Sequence, residues 1–249
     1  MKRNSWPTIE RHETLSSTQE RARQLAEQGA PEGTVVMATT QGWGRGRLGR
    51  SWASPPGGLW FSLVLRPVIA PVAAPGLNLL AAVVIAEAVR DMTGLVAGIK
   101  WPNDILVDGR KLGGILTEMK TGRGGIEYVL VGVGVNVNVD PTVLPSDLRY
   151  PAATVLGETG LETDLDELLN KCLADFRADY QQWPGNLAGV LDRWRGLSVM
   201  LGRRVTVAAA GHTLTGVARD IDSGGALLIV DDIGVVHTVH AGDVTLSFD

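Results

Sequence analysis

The chain has 249 residues, 45% hydrophobic and 20% charged, the balance of an ordinary globular protein with room for a sizeable core. Its net charge of −4 and isoelectric point near 5.6 argue against a general nucleic-acid-coating protein, while leaving room for one local cationic site. A single cysteine, Cys172, excludes an intrachain disulfide, and with four scattered histidines it leaves no cluster of zinc spacing, so the chain reads as reduced and cytoplasmic. Met1 to Glu10 carries charges and Pro7 but no apolar run, which speaks against a signal peptide.

In chain order, Ser17-x-x-Glu20 has the form of a capping box and predicts a helix with Ala22, Leu25 and Ala26 on one face, stopped by Gly29 and Pro31. Thr34–Thr40 reads as a strand, Gln41–Gly58 as a loop rich in Gly, Arg and Pro, and Leu59–Leu65 as a strand. Residues 67–86 are uncharged and long enough to span a bilayer, but Pro67, Pro71, Pro75, Gly76 and Asn78 interrupt them. The helix is therefore expected over Leu77–Met92, buried in a core rather than crossing a membrane. Strands are expected at Gly98–Trp101, Ile105–Val107, Lys111–Met119 and Ile126–Asn138, then a loop over Asp140–Ala153. Leu165–Tyr180 is an amphipathic helix with Cys172 as a small core residue, Pro184 and Gly185 break it, and Leu187–Trp194 is helical again.

After Leu197 five short strands are expected, Arg204–Ala208, Thr213–Ile221, Ala226–Val230, Val235–Val239 and Val244–Phe248, with turns at Asp222–Gly225 and Asp231–Gly234. Their number and spacing suggest a small barrel of SH3-like proportions. A boundary near Gly196 divides the chain into residues 1–196 and 197–249.

Four segments could carry chemistry. Gly44-Arg-Gly-Arg-Leu-Gly-Arg50 matches the glycines of a dinucleotide fingerprint, but Pro55 and Pro56 forbid the helix that must follow, and no acidic residue stands about 20 positions on. Its alternating arginines lack obvious local acidic partners, so the loop should be mobile when empty, hinged at its glycines, and order around a phosphate or carboxylate. A solvated basic loop, or a weak RNA-binding segment, is the alternative. Lys100-Trp-Pro-Asn-Asp104 is either a β-turn with Pro102 and Asn103 at its centre or a Lys/Asp pair flanking a metal-bound phosphate. Arg110-Lys-Leu-Gly-Gly-Ile-Leu116 starts a strand with Lys111, and two glycines there allow close approach of a ligand. Gly132-Val-Gly-Val-Asn136-Val-Asn138 is an apolar strand with glycines and two amides, open to the reading of tight strand packing. Walker A, nucleophile-elbow and zinc-protease motifs are absent.

Taken together and in this order, with Ser17-Thr18, Gln41 and Trp52, these segments resemble the biotin protein ligases, and the resemblance extends through Gly216–Leu228 to nearly the whole chain. It implies an α+β fold: a mixed β-sheet catalytic domain flanked by helices, class II synthetase-like, with a small C-terminal SH3-like barrel. It also implies a reaction. Biotin's carboxylate is activated with MgATP to biotinyl-5′-AMP, and a lysine of a biotin carboxyl carrier domain, of acetyl-CoA carboxylase or a related carboxylase, then receives the biotin. By the resemblance, Lys111, Arg45 and Arg47 are catalytic, screening the approach of carboxylate to α-phosphate. Ser17, Thr18, Gln41, Gly44, Arg45, Gly46, Arg47, Lys111 and Gly114 form the biotin site. Arg47, Arg50, Trp52, Lys100, Asn103, Asp104 and Asn136 form the nucleotide site, with Asp104 a candidate ligand of Mg²⁺. Two departures stand out. Gln19 replaces the usual Asn after Ser-Thr, and Pro151-Ala152-Ala153 occupies a region where some members stack an aromatic on adenine, Tyr150 being the nearest aromatic. Only 16 residues precede Ser17, so no DNA-binding helix-turn-helix and no repressor activity are expected; a homodimer through the catalytic sheet is in keeping with the family. The alternatives are a lipoate or octanoate ligase or transferase of the same fold, and a non-catalytic RNA- or protein-binding module.

Overall fold

The first strand is one the sequence reading lacks. In a computed structural model that describes residues 6–145, 151–209 and 212–246, β1 (Thr8–Leu15) pairs in parallel with β2 (Thr34–Arg45) and forms one edge of the main sheet. Its sequence, TIERHETL, is too polar to announce a strand, as suits an edge whose outer side faces water. Helix α1 (Thr18–Glu27) returns the chain, and β3 (Ser51–Ser54), β4 (Leu59–Leu65), β5 (Gly98–Lys100), β6 (Asp104–Val107), β7 (Arg110–Gly122) and β8 (Gly125–Val135) complete the sheet. The order is β1-β2-β4-β8-β7-β6-β5, with β3 paired to β2, and every pair but the first is antiparallel.

Both faces of this sheet are covered. Ala22 and Ala26 of α1 pack on Val36, Val64, Tyr128 and Leu130. On the other face lie α2 (Pro75–Thr93), α4 (Leu165–Tyr180) and α5 (Leu187–Leu197), with a short α3 (Val155–Thr159) just ahead of α4. Helix α2 with its leading turn is apolar and long enough to cross a membrane, but 72% of that window is buried inside the protein, between the sheet and helices α4 and α5. A helix that is apolar on all sides is a core helix, and Gly94 ends it in the left-handed conformation. In α4, Asp164 caps the backbone of Asp166 and Glu167, and Leu168, Leu169, Cys172, Leu173 and Phe176 form the buried stripe. Burial pushes the Cys172 thiol up to about 12, so it is a filler without reactivity.

The remaining strands, β9 (Arg204–Ala209), β10 (His212–Ile221), β11 (Leu227–Val230), β12 (Val236–Val239) and β13 (Asp243–Leu246), form an antiparallel sheet in the order β12-β11-β10-β9-β13. Helix α5 runs through Gly196 to Leu197. The inner faces of the second sheet join the same hydrophobic core as α2 and the main sheet.

Candidate active site

A cavity of about 230 Å³ opens on the face that carries α1, where β2, β4, β7 and β8 meet the 101–103 turn and the start of β13. Fourteen of the fifteen residues expected from sequence line it: Ser17, Thr18, Gln41, Arg45, Gly46, Arg47, Arg50, Trp52, Lys100, Asn103, Asp104, Lys111, Gly114 and Asn136. Gly44 is the exception. It pairs with Trp52 across β2 and β3, and a Cβ there would lie 2.3 Å from the Trp52 carbonyl oxygen, so it is a packing glycine behind the wall.

The arginine segment is more regular than its composition suggests. Strand β2 continues through Arg45, residues 47–49 form a tight turn, and β3 doubles back. The sharp bend falls at Leu48 (φ 57°) and Gly49 (φ 74°), whereas Gly46 is extended (φ −111°) and has room for a methyl group. The arginines also find partners, all distant in sequence. Arg45 lies 3.4 Å from Glu20, Arg50 pairs with Asp243, and Arg47 donates to Asn103 Oδ1 at 3.3 Å and to the Gly242 carbonyl at 3.4 Å. The loop is thus held against the second sheet: the arginines have no acidic partner nearby in the chain, as expected, and Arg45 and Arg50 find theirs far along it.

One end of the cavity is neutral and polar. Ser17 stands at the N-cap of α1, yet its hydroxyl caps nothing: the expected capping box does not form, and Ser17 Oγ is buried without a partner. Gln41 accepts from the Thr18 backbone N–H at 2.8 Å and donates to Ser54 Oγ at 2.8 Å, so its amide is fixed. Thr18 Oγ1 lies 2.9 Å from Ser62 Oγ, which donates to Gln19 Oε1 at 2.9 Å. Trp52 forms a wall, its indole N–H buried without a partner and set against Gly134, where a Cβ would come within 2.7 Å of that nitrogen. Unpartnered buried donors are costly, and here two of them, on Ser17 and Trp52, belong to cavity residues.

The other end is ionic. The 101–103 turn places Lys100 and Asp104 opposite each other at the β5–β6 hairpin, as the turn reading of this motif expects. Asp104 receives Lys100 Nζ at 2.7 Å and Lys111 Nζ at 2.6 Å, one on each oxygen. Burial is the largest single influence on Asp104 and opposes its charge, but the fields and hydrogen bonds of Lys111 and Lys100 together outweigh it and hold the carboxyl below the usual carboxylate range. Lys111 also lies 5.2 Å from the Trp52 ring centre, and beside Gly114 a Cβ would meet nothing closer than 3.6 Å, which leaves the approach open. Asn103 Nδ2 donates to the Ile115 carbonyl and Asn136 Nδ2 to the Ala153 carbonyl, pinning the strands that frame this end. Burial lowers the Arg47 guanidinium somewhat, against the raising influence of Asp243 and Asp104. Among the described residues no group of three or more His, Cys, Asp or Glu could hold a metal, and both Asp104 oxygens are engaged by lysines. Tyr150 lies outside the described residues, while Ala152 reaches the cavity through a bridge to Lys111.

Sequence reasoning missed Gln19 and Ser62 in the neutral end and Glu20 and Asp243 at the rim. Ser62 had a signal, being the one polar residue in the apolar strand LWFSLVL, and Gln19 stood out as a departure from the family pattern. Asp243 had none, because its contact spans nearly the whole chain.

The α+β fold with its mixed sheet, and a cavity holding neutral hydrogen-bonding groups at one end and three arginines and two lysines around the other, define a ligase-type carboxylate-activating site. Residues 12–136 match the biotin/lipoate A/B protein ligase family and residues 200–247 the biotin protein ligase C-terminal domain. The bifunctional ligase/repressor BirA of Bacillus subtilis is 36% identical over 238 residues, 95% of this chain and 73% of that one. The biotin–acetyl-CoA-carboxylase ligase of Paracoccus denitrificans is 34% identical, over 78% of this chain and 82% of its own. The structure of the Aquifex aeolicus biotin protein ligase in complex with biotin and ATP superposes with a TM-score of 0.83 at 28% identity, covering 97% of this chain and 99% of that one. The chain belongs to the biotin protein ligase family.

Proposed function

We infer that the protein activates biotin with ATP and transfers it to a lysine of a biotin carboxyl carrier protein. The observation that carries this reading is the two-ended cavity. Buried Ser17 and Thr18 hydroxyls, with Gln41 beside them, suit a neutral cyclic urea, and Lys111 beside Trp52 suits a carboxylate at the far end of an apolar tail. In the first step the biotin carboxylate oxygen forms a bond to the α-phosphorus of ATP, and the bond to pyrophosphate breaks. In the second, the carrier lysine amine attacks the acyl carbon and AMP leaves. Both steps gather negative charge, and Lys111, Arg45 and Arg47 are the cations we assign to screen it. Arg50, Trp52, Lys100, Asn103, Asp104 and Asn136 are assigned to the nucleotide. Mg²⁺ would arrive with the phosphates and would neutralise part of their charge; Asp104 is the carboxylate at hand and would have to release a lysine to join it.

Three further assignments belong to the same reading. Residues 1–196 and 197–249 act as catalytic and C-terminal domains. The latter is an SH3-like barrel, a view supported by two edge strands, β12 and β13, that are consecutive in sequence. The acceptor is the carrier domain of acetyl-CoA carboxylase or a related carboxylase, in the cytoplasm. The test is pyrophosphate–ATP exchange with Mg²⁺ and either biotin or lipoate. Exchange that depends on biotin supports the reading, exchange with lipoate alone moves the chain to the sister activity, and no exchange with either refutes it.

A further inference from the structure

At the neutral end of the cavity a chain of four groups runs from a backbone carbonyl to Thr18. Gln19 Nε2 donates to the Leu116 carbonyl at 3.3 Å, Ser62 Oγ donates to Gln19 Oε1 at 2.9 Å, and Thr18 Oγ1 lies 2.9 Å from Ser62 Oγ. All three side chains are buried, and all three line the cavity. The lack of a side chain at Gly132 is what admits the Gln19 amide, since a Cβ there would come within 2.5 Å of Gln19 Oε1.

The direction of every proton in this chain follows from its first member. A carbonyl oxygen can only accept, so the amide must turn its NH₂ to Leu116 and its oxygen to Ser62. Ser62 has one proton and must give it to that oxygen. The Thr18 hydroxyl must then give its own proton to Ser62. Toward the cavity Thr18 is left with lone pairs alone. We propose that Gln19 and Ser62 are positioning residues for specificity: they lock Thr18 as a pure acceptor, so that the site takes a ring system offering an N–H at that point and rejects one that presents an oxygen or a carbon. This rests on the biotin reading above and adds to it the two residues that impose the choice. The relay sits at Gly132, two residues before Gly134 along β8, or about 7 Å from the level of Trp52 and Lys111, so it acts on the ring end of the ligand and not on the reacting carboxylate.

The test uses biotin and its two cyclic carbamate analogues, in each of which one ring N–H is replaced by oxygen. Binding is measured by calorimetry, and exchange kinetics on the same samples, for the wild-type protein, Ser62→Ala and Gln19→Met. A site that sets acceptor against acceptor should disfavour one carbamate isomer relative to biotin by about 100-fold or more in the wild type. Ser62→Ala frees the Thr18 proton to turn toward the ligand, and the ratio should shrink about tenfold, with the loss for biotin appearing in KM rather than kcat. Gln19→Met removes the acceptor for Ser62 and should move the ratio in the same direction, so the inference does not depend on one variant folding. A general loosening of the pocket would weaken biotin and carbamate alike and leave the ratio where it was; that result overturns the relay while biotin-dependent exchange still stands. Discrimination that collapses as expected, in a protein without exchange, would support the relay and refute the reaction. No biotin binding by the wild type overturns both.

Discussion

Asp104→Ala separates the structural from the chemical share of the ionic end. In the wild type one carboxylate neutralises two ammonium groups, and the Lys100 side chain is only 5% exposed. Removing one partner of a buried ion pair costs about 3–5 kcal/mol, because the remaining charge keeps its desolvation cost without the attraction that offset it. Lys111 is 26% exposed and can turn to water, so its contribution to the loss is small and most falls on Lys100. For a domain of this size the melting temperature should fall by about 6–20 °C. Replacing both members of the inner pair, Asp104→Leu with Lys100→Met, should recover most of that stability, since an apolar pair of similar volume carries no charge to desolvate. It should not recover biotin-dependent exchange. The assay is thermal and denaturant unfolding of the single and double variants beside pyrophosphate–ATP exchange. A loss below about 1 kcal/mol for Asp104→Ala would mean that the triad is screened like a surface pair, and the reasoning from burial would fail.

Further expectations can be checked on the same preparations. Lys111→Ala should reduce exchange by about 10²–10³-fold with a small change in melting temperature, because its side chain is partly exposed and Asp104 keeps Lys100; near-normal adenylation would remove Lys111 from the chemistry. Gly44→Ala should be disruptive and Gly46→Ala mild, since only at Gly44 does a Cβ strike backbone; equal effects in a stability and biotin-binding screen would contradict the packing. Because the Asp104 carboxyl lies below its ordinary value of 3.8, its stabilising contribution is fully present above that pH and is lost as pH falls through the lower folded value, which a pH series of unfolding midpoints on wild type and Asp104→Leu/Lys100→Met would reveal as a difference confined to acid. Asp243→Asn should speed biotin release by no more than about fivefold and make it less salt-dependent, since Arg50 is half exposed and such pairs contribute under about 1 kcal/mol.

What the sequence made legible was what local rules govern. The amphipathic period of Leu165–Tyr180 marked α4 to the residue, and Lys111 and Asn136, assigned to the site by the family resemblance rather than by any local rule, both line the cavity. The failures are long-range. Strand β1 is polar and exists because β2 offers it a partner; β2 runs five residues beyond its apolar stretch because β3 folds back on it; Ser17 leaves its capping bond unmade at the edge of a cavity. For the two strands pairing overrode propensity, and the partners lay outside any window of sequence.

The Trp101 indole donates to the Gly225 carbonyl at 3.0 Å, and its backbone N–H meets Met200 Sδ at 3.0 Å, so the turn that carries Lys100 and Asp104 is anchored to the β10–β11 turn and to the segment leading into β9. With Arg195 joined to Asp220 at 2.7 Å and one hydrophobic core beneath both sheets, the C-terminal strands cannot be a detachable appendage. The chain should therefore melt as one thermodynamic unit: a calorimetric trace should show a single peak, a fragment ending near residue 197 should expose apolar core and aggregate, and an exchange of C-terminal sheets between relatives should succeed only if Trp101 and its acceptor travel together.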